Sequence, residues 1–98
     1  MKKKPAKLKT KKWDSAEYIK TPEDVAAYLD AALEDGDPAL IAVVLGNIAR
    51  SKGMAVVAKK AGLGRESLYK ALSKGGNPKL DTVLKVVHAL GLKLQTAA

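Results

Sequence analysis

The chain has 98 residues, which is enough for one small domain with a modest core. It contains no cysteine, which excludes disulfides, thiol nucleophiles and cysteine-bound zinc, and its apolar runs are too short to span a bilayer. The formal net charge of +8 predicts a polyanionic partner, the alternative being a solvated basic surface. The initial lysines precede no apolar segment, so we expect a cytoplasmic protein without a secretory signal or a membrane partner.

The charge is divided unevenly along the chain. Residues 1–12 carry +7 from lysines alone, residues 14–37 carry −7, and residues 38–98 carry +8. If the basic part meets nucleic acid, its affinity is expected to fall steeply with salt, because bound phosphates release counterions.

The first twelve residues predict a flexible basic arm, because they hold a proline and almost no apolar side chain. Such an arm either lies along phosphates without reading sequence or only raises solubility. Residues 13–36 are expected to form an N-terminal segment and helix. In that segment Trp13, Tyr18 and Ile19 either pack onto the domain or anchor a protein partner.

Two helices with proline at their first position are predicted next. Thr21 and Pro22 begin a helix that runs to about Glu34 and ends before Gly36, and Asp37 and Pro38 begin a second one that runs to 52. The first helix has an apolar face of Val25, Leu29, Ala32 and Leu33, and the second has a stripe of Ile41, Val44, Leu45 and Ile48.

Residues 54–73 have the spacing of a helix-turn-helix, with helices predicted at 54–61 and 64–73. Ala58 is expected where the two helices cross most closely and only a methyl group fits, and Gly62 where the turn requires positive φ. Leu63 and Leu68 would fill the wedge between the helices. This spacing also occurs in ordinary helical hairpins, so the basic charge of the region is needed to favour DNA binding.

The candidate DNA contacts are polar or long side chains on and around the second helix of this unit. Arg65 is the first candidate for a bidentate contact to guanine. Lys52 and Arg50 end the preceding helix, close to where the unit should approach the DNA backbone. The loop 74–79 is either a phosphate-binding segment or an ordinary connector. The full set of candidates is Lys52, Arg65, Glu66, Ser67, Tyr69, Lys70, Lys74, Asn77 and Lys79.

A last helix is predicted at 80–90, ended by Gly91, with a core face of Leu80, Val83, Leu84, Val87 and Leu90. Residues 92–95 alternate apolar and polar, which indicates either a short edge strand that pairs two copies of the chain or a frayed tail.

Residues with the spacing of a catalytic site are not found. His88 is the only histidine and lies between core positions, and no glycine-rich phosphate loop follows a strand. The acids of residues 24–37 are expected to form a solvated face. The sequence therefore predicts a protein that is not an enzyme and that binds neither a cofactor nor a metal.

Over residues 13–95 the chain resembles the addiction-module antidote proteins, HigA-like antitoxins with a repressor-type helix-turn-helix. The resemblance is carried by the aromatic-Asp start with Glu-Tyr-Ile, by the segments YLDAALEDGDP, GLGRESLYKALS and NPKLDTVLKVVHALGLKL. It differs at Gly64, where many relatives have a serine that caps the second helix of the unit.

The resemblance implies an all-α, five-helix, lambda-repressor-like domain at residues 37–98 that binds double-stranded operator DNA as a homodimer and represses its own operon. It further implies a small toxin encoded alongside, usually a RelE-like ribosome-dependent RNase, which the protein would neutralise in a type II toxin–antitoxin system. The acidic segment 14–37 suits a basic toxin of this kind. The alternatives are a free-standing phage-type transcriptional regulator without a toxin, and a protein-interaction module whose basic surface is incidental.

Overall fold

The computed structural model describes residues 20–98. It contains five helices, at Pro22–Asp35 (α1), Pro38–Lys52 (α2), Met54–Ala61 (α3), Arg65–Ala71 (α4) and Leu80–Ala89 (α5), and no strand within these residues. The all-α prediction is therefore confirmed for this part of the chain. The predicted basic arm at 1–12 and the aromatic side chains of residues 13–19 lie outside the described residues.

The first two helices begin at side-chain caps, as their sequences predict. The Thr21 hydroxyl accepts a hydrogen bond from the main-chain N–H of Asp24 at 3.0 Å, and the Asp24 carboxylate accepts from those of Lys20 and Thr21, both at 3.0 Å. These N–H groups, Lys20 first, lower the pKa of Asp24 from its ordinary value. Asp37 accepts from the N–H of Ala39 at 3.0 Å. Both cap signals are therefore confirmed.

The core is aliphatic and receives side chains from all five helices. Helix α2 contributes more buried residues than any other helix and packs against α1 and α3, while α3 also packs against α4 and α5. Tyr28 of α1 is the one buried aromatic residue of the described chain, and no polar or charged residue of residues 20–98 is buried. The largest fully buried side chains are Leu45, Ile48, Leu68, Leu72, Val25, Val57, Val86 and Val87.

Two residues predicted for the core are exposed. Leu33 is 37% exposed and Leu80 is 69% exposed. In α5 the buried residues are Val86 and Val87, with Val83 and Leu90 packed against the core beside them. The prediction is therefore confirmed at Val83, Val87 and Leu90 and wrong at Leu80, because apolar residues cover a wide arc of α5 and helical periodicity fits more than one face.

Helices α2 and α3 meet at 107°. The bend occurs at Gly53, whose φ of 100° is a conformation that side chains rarely adopt. Among residues 20–98 no single helix is long and apolar enough to cross a membrane, and α2 with α3 reaches the required length and composition only as this bent pair.

The C-terminal residues 92–98 have no regular secondary structure. An edge strand at 92–95 would need a second copy of the chain to pair with, so the dimerisation strand stays a prediction. The division of the chain at residue 37 also stays a prediction. In the structure the buried residues of α1 belong to the same hydrophobic cluster as those of α2.

Candidate nucleic-acid interface

The turn between α3 and α4 has the conformation that the sequence predicts. Gly62 has φ 73° and ψ 32°, and the N–H of Leu63 donates to the carbonyl of Ala58 at 2.9 Å, which closes α3 with a Schellman-type bond. A Cβ at Gly62 would meet nothing within 4 Å, so the backbone angle, rather than space, requires glycine here. Ala58 is buried, and Leu63 packs against the core.

Helix α4 is amphipathic in its packing although it is only seven residues long. Leu68 and Leu72, the residue that directly follows the helix, are fully buried and hold the helix on the bundle. The remaining surface is open to solvent, and Tyr69 is 54% exposed. The predicted contacts on this exposed surface are Arg65, Glu66, Ser67, Tyr69 and Lys70.

The loop after α4 turns sharply against the end of that helix. Gly75 has φ 84°, and the N–H of Gly76 donates to the carbonyl of Ser73 at 2.8 Å. A Cβ on Gly76 would lie 2.3 Å from the carbonyl oxygen of Ala71, so the loop backbone lies directly on the last carbonyls of α4. This close packing fixes the position of the loop relative to the end of α4. The predicted contacts that it carries are all exposed: Lys74, Asn77 and Lys79.

The cations of this surface form no ion pair with any carboxylate of residues 20–98. Within residues 20–98 the structure has one ion pair, between Lys85 and Asp81 of α5 at 3.3 Å. Lys52, at the end of α2, is exposed like the cations of α4 and its loop. Because these cations have no carboxylate partner among residues 20–98 to give up, binding a phosphate would add an ion pair to this part of the chain rather than exchange one.

The first turns of α3 and α4 also lack side-chain caps. Gly53 and Gly64 occupy the two cap positions, and neither helix has a side-chain hydrogen bond there. Main-chain N–H groups at the start of α3 therefore have no partner from a capping side chain. This is the arrangement in which a helix start can donate to a phosphate oxygen.

Sequence reasoning did not identify a polar chain that connects α1 with α2. The Asn47 side-chain amide donates to the Tyr28 hydroxyl at 3.0 Å, and its oxygen accepts from the Arg50 guanidinium. Tyr28 is 6% exposed, so this contact lies at the packed interface between the two helices. Tyr28 was not among the residues predicted for the apolar face of α1, and only the fold brings it to Asn47.

This geometry defines a class of protein. Over residues 20–98 it is an all-helical bundle that presents a short, exposed, cationic helix after a tight turn. A protein-family model described as "probable addiction module antidote protein" matches residues 9–98, and the chain belongs to this family. An uncharacterised protein of Haemophilus influenzae (strain ATCC 51907 / DSM 11121 / KW20 / Rd) is 45% identical over 85 residues, which are 87% of this chain and 88% of that protein. No solved structure gives a significant match.

Proposed function

We propose that this protein is a cytoplasmic antitoxin without catalytic activity that has two partners, its own operator DNA and a toxin encoded beside it. The proposal is supported by membership of the antidote family and, for DNA, by one structural observation. That observation is the exposed face of α4, on which Arg65 and Lys70 have no carboxylate partner among residues 20–98.

In this proposal α3 and α4 act as a lambda-repressor-like helix-turn-helix, and α4 enters the major groove. Arg65 lies in the first turn of α4, where recognition helices contact base edges, and its two parallel N–H donors match the acceptors of guanine. Lys52, Lys74 and Lys79 would contact phosphates and set the register. A homodimer would present two copies of α4 about 34 Å apart, so the operator should be an inverted repeat.

The DNA part is tested by titrating labelled duplexes with the purified chain and following fluorescence anisotropy. One duplex comes from upstream of the protein's own gene and the other is a shuffled duplex of equal composition. Arg65→Ala should weaken operator binding by about 1–3 kcal/mol and leave the shuffled duplex nearly unaffected. Lys85→Ala removes an exposed cation of α5 that is already paired with Asp81, and it is the matched control. Equal losses on both duplexes would refute base reading by Arg65.

The toxin part is supported by the acidic exposed surface of α1. Glu34 and Asp35, in the last turn of this helix, are exposed and have no cationic partner within residues 20–98. A RelE-like toxin that cuts messenger RNA on the ribosome must itself tolerate RNA, so a basic surface on it would be complementary to α1.

The toxin part is tested by expressing the neighbouring open reading frame with and without this protein. Growth arrest by the neighbour, rescue by this protein and co-purification of the two are the expected results. The double charge reversal Glu34→Lys with Asp35→Lys should weaken co-purification, whereas Asp81→Lys on α5 should not. A harmless neighbour that does not co-purify would contradict the antitoxin proposal and favour a free-standing transcriptional regulator.

A further inference from the structure

The hydrogen bonds of Asn47 fix the direction of its side chain. Its NH₂ group donates to the Tyr28 hydroxyl, and its oxygen accepts from Nη2 of Arg50. Reversing the amide would place its NH₂ group against the Arg50 guanidinium, which has only donors, whereas the Tyr28 hydroxyl can donate or accept. The contact with Arg50 therefore sets the orientation of the amide, and the Tyr28 hydroxyl, by accepting from the NH₂ group, holds Asn47 where its oxygen meets Arg50.

The held guanidinium lies beside the end of α4. A Cβ built on Gly46 would lie 2.3 Å from the carbonyl oxygen of Leu72 and 3.4 Å from Nη1 of Arg50. Arg50 and Leu72, the residue that follows α4, thus border the same notch on α2. Leu72 is followed directly by the loop that carries Lys74 and Asn77, so Arg50 stands next to the start of the candidate phosphate-binding loop.

Arg50 is itself available to a ligand. It is exposed, it has no carboxylate partner among residues 20–98, and its guanidinium has five N–H donors, of which Nη2 contributes to the bond with Asn47. Guanidinium groups bind phosphate through such donors. A side chain that is already held loses less conformational freedom on binding than a free one.

We propose that Arg50 contacts the DNA backbone and that Tyr28 and Asn47 are positioning residues for it, which makes α1 part of the DNA-binding apparatus. This inference rests on the proposed DNA binding. It gives α1 a second role beside that of an acidic surface. A partner that shifts α1 on the bundle would change the orientation of Arg50, and with it the affinity for DNA, without touching α4.

The phosphate contact is tested by the salt dependence of binding. Arg50→Ala should weaken the operator and the shuffled duplex by the same factor, and should reduce the slope of log K against log salt by about one unit. Arg50→Lys keeps the charge and should retain most of the slope. Lys85→Ala is again the control. An unchanged slope for Arg50→Ala would overturn the phosphate contact.

The positioning role is tested by a double-mutant cycle. Tyr28→Phe removes the hydroxyl while keeping the ring, and it should weaken binding to both duplexes in the presence of Arg50 but not in the Arg50→Ala background. Thermal melting of each variant measures its folding stability separately from its DNA binding. Equal losses in both backgrounds would overturn the positioning role, because they would mean that Tyr28 acts only through the fold. If the unaltered protein binds neither duplex at low salt, the proposed function itself fails. Normal binding with an additive cycle would refute only the positioning inference.

Discussion

The substitution Gly46→Ala is predicted to destabilise the protein although alanine is the better helix former. Gly46 is buried in α2, and an added Cβ would lie 2.3 Å from the carbonyl oxygen of Leu72. Close carbon–oxygen contacts lie at roughly 3.3–3.6 Å, so the end of α4 would have to move away from α2 by about 1 Å. The obstacle is a main-chain atom and cannot be relieved by a rotamer change.

The magnitude follows from two opposing terms. Overpacking of a well-packed interior costs about 1–3 kcal/mol, and a main-chain obstacle favours the upper part of this range. Alanine in place of glycine inside a helix returns about 1 kcal/mol. The net loss is therefore about 1–2 kcal/mol, and a domain of this size should melt about 4–16 °C lower.

Thermal and urea unfolding followed by circular dichroism provide the assay. Gly64→Ser is the matched control, because a Cβ there would meet only the Ser67 hydroxyl at 3.8 Å and serine is the better cap. The control should melt at the same temperature as the unaltered protein or slightly higher. A Gly46→Ala variant that is as stable as the unaltered protein would show that α2 and α4 are not packed as closely as described.

Three further predictions concern single side chains. The hydrogen bonds from the main-chain N–H groups of Lys20 and Thr21 lower the pKa of Asp24 below its ordinary value of 3.8. The native chain therefore binds fewer protons than the unfolded chain, and this contribution to stability should be lost as the pH falls below about 4. Asp24→Asn should remove that part of the acid dependence in urea titrations, and an unaltered pH profile would count against it. Leu80→Ala should change stability by less than about 0.5 kcal/mol, whereas Leu72→Ala should cost about 2–5 kcal/mol, and similar losses in urea unfolding would contradict the assigned core. Gly62→Ala should cost about 1–2 kcal/mol through its positive φ alone, and a chain that melts unchanged would argue against that turn.

The helix boundaries could be read from the sequence because they depend on local chemistry. Thr21, Asp37, Gly36 and Gly62 act within a few residues of themselves, through side-chain caps or through positive φ, and the structure confirms each of them. The same is true of the exposed side of α4. Burial of Leu68 and Leu72 on one side leaves the polar and long side chains of the other side exposed, from Arg65 to Lys70.

Contacts between distant segments could not be read in this way. Nothing in the sequence around Gly46 indicates that the end of α4 rests on it, and Tyr28 and Asn47 meet across 19 positions of the chain. Leu80 was assigned to the core by a periodicity that a neighbouring face of α5 satisfies equally well. These features depend on how helices are placed against each other, which local patterns do not specify. Whether the exposed face of α4 binds DNA is a question of chemistry with a partner and stays a prediction.

Helix α4 is held on the bundle by main-chain contacts, and this affects how its sequence can diverge between related proteins. Two glycines, Gly46 and Gly76, meet its last carbonyls, and two buried leucines fix its inner side. None of these contacts involves the outward side chains at Arg65, Glu66 or Tyr69. The outer residues can therefore be exchanged during evolution without loss of these packing contacts. If α4 reads operator DNA as proposed, duplicated copies of such a gene within one genome could acquire distinct operators by a few outward substitutions and avoid cross-regulation, while the scaffold beneath stays the same.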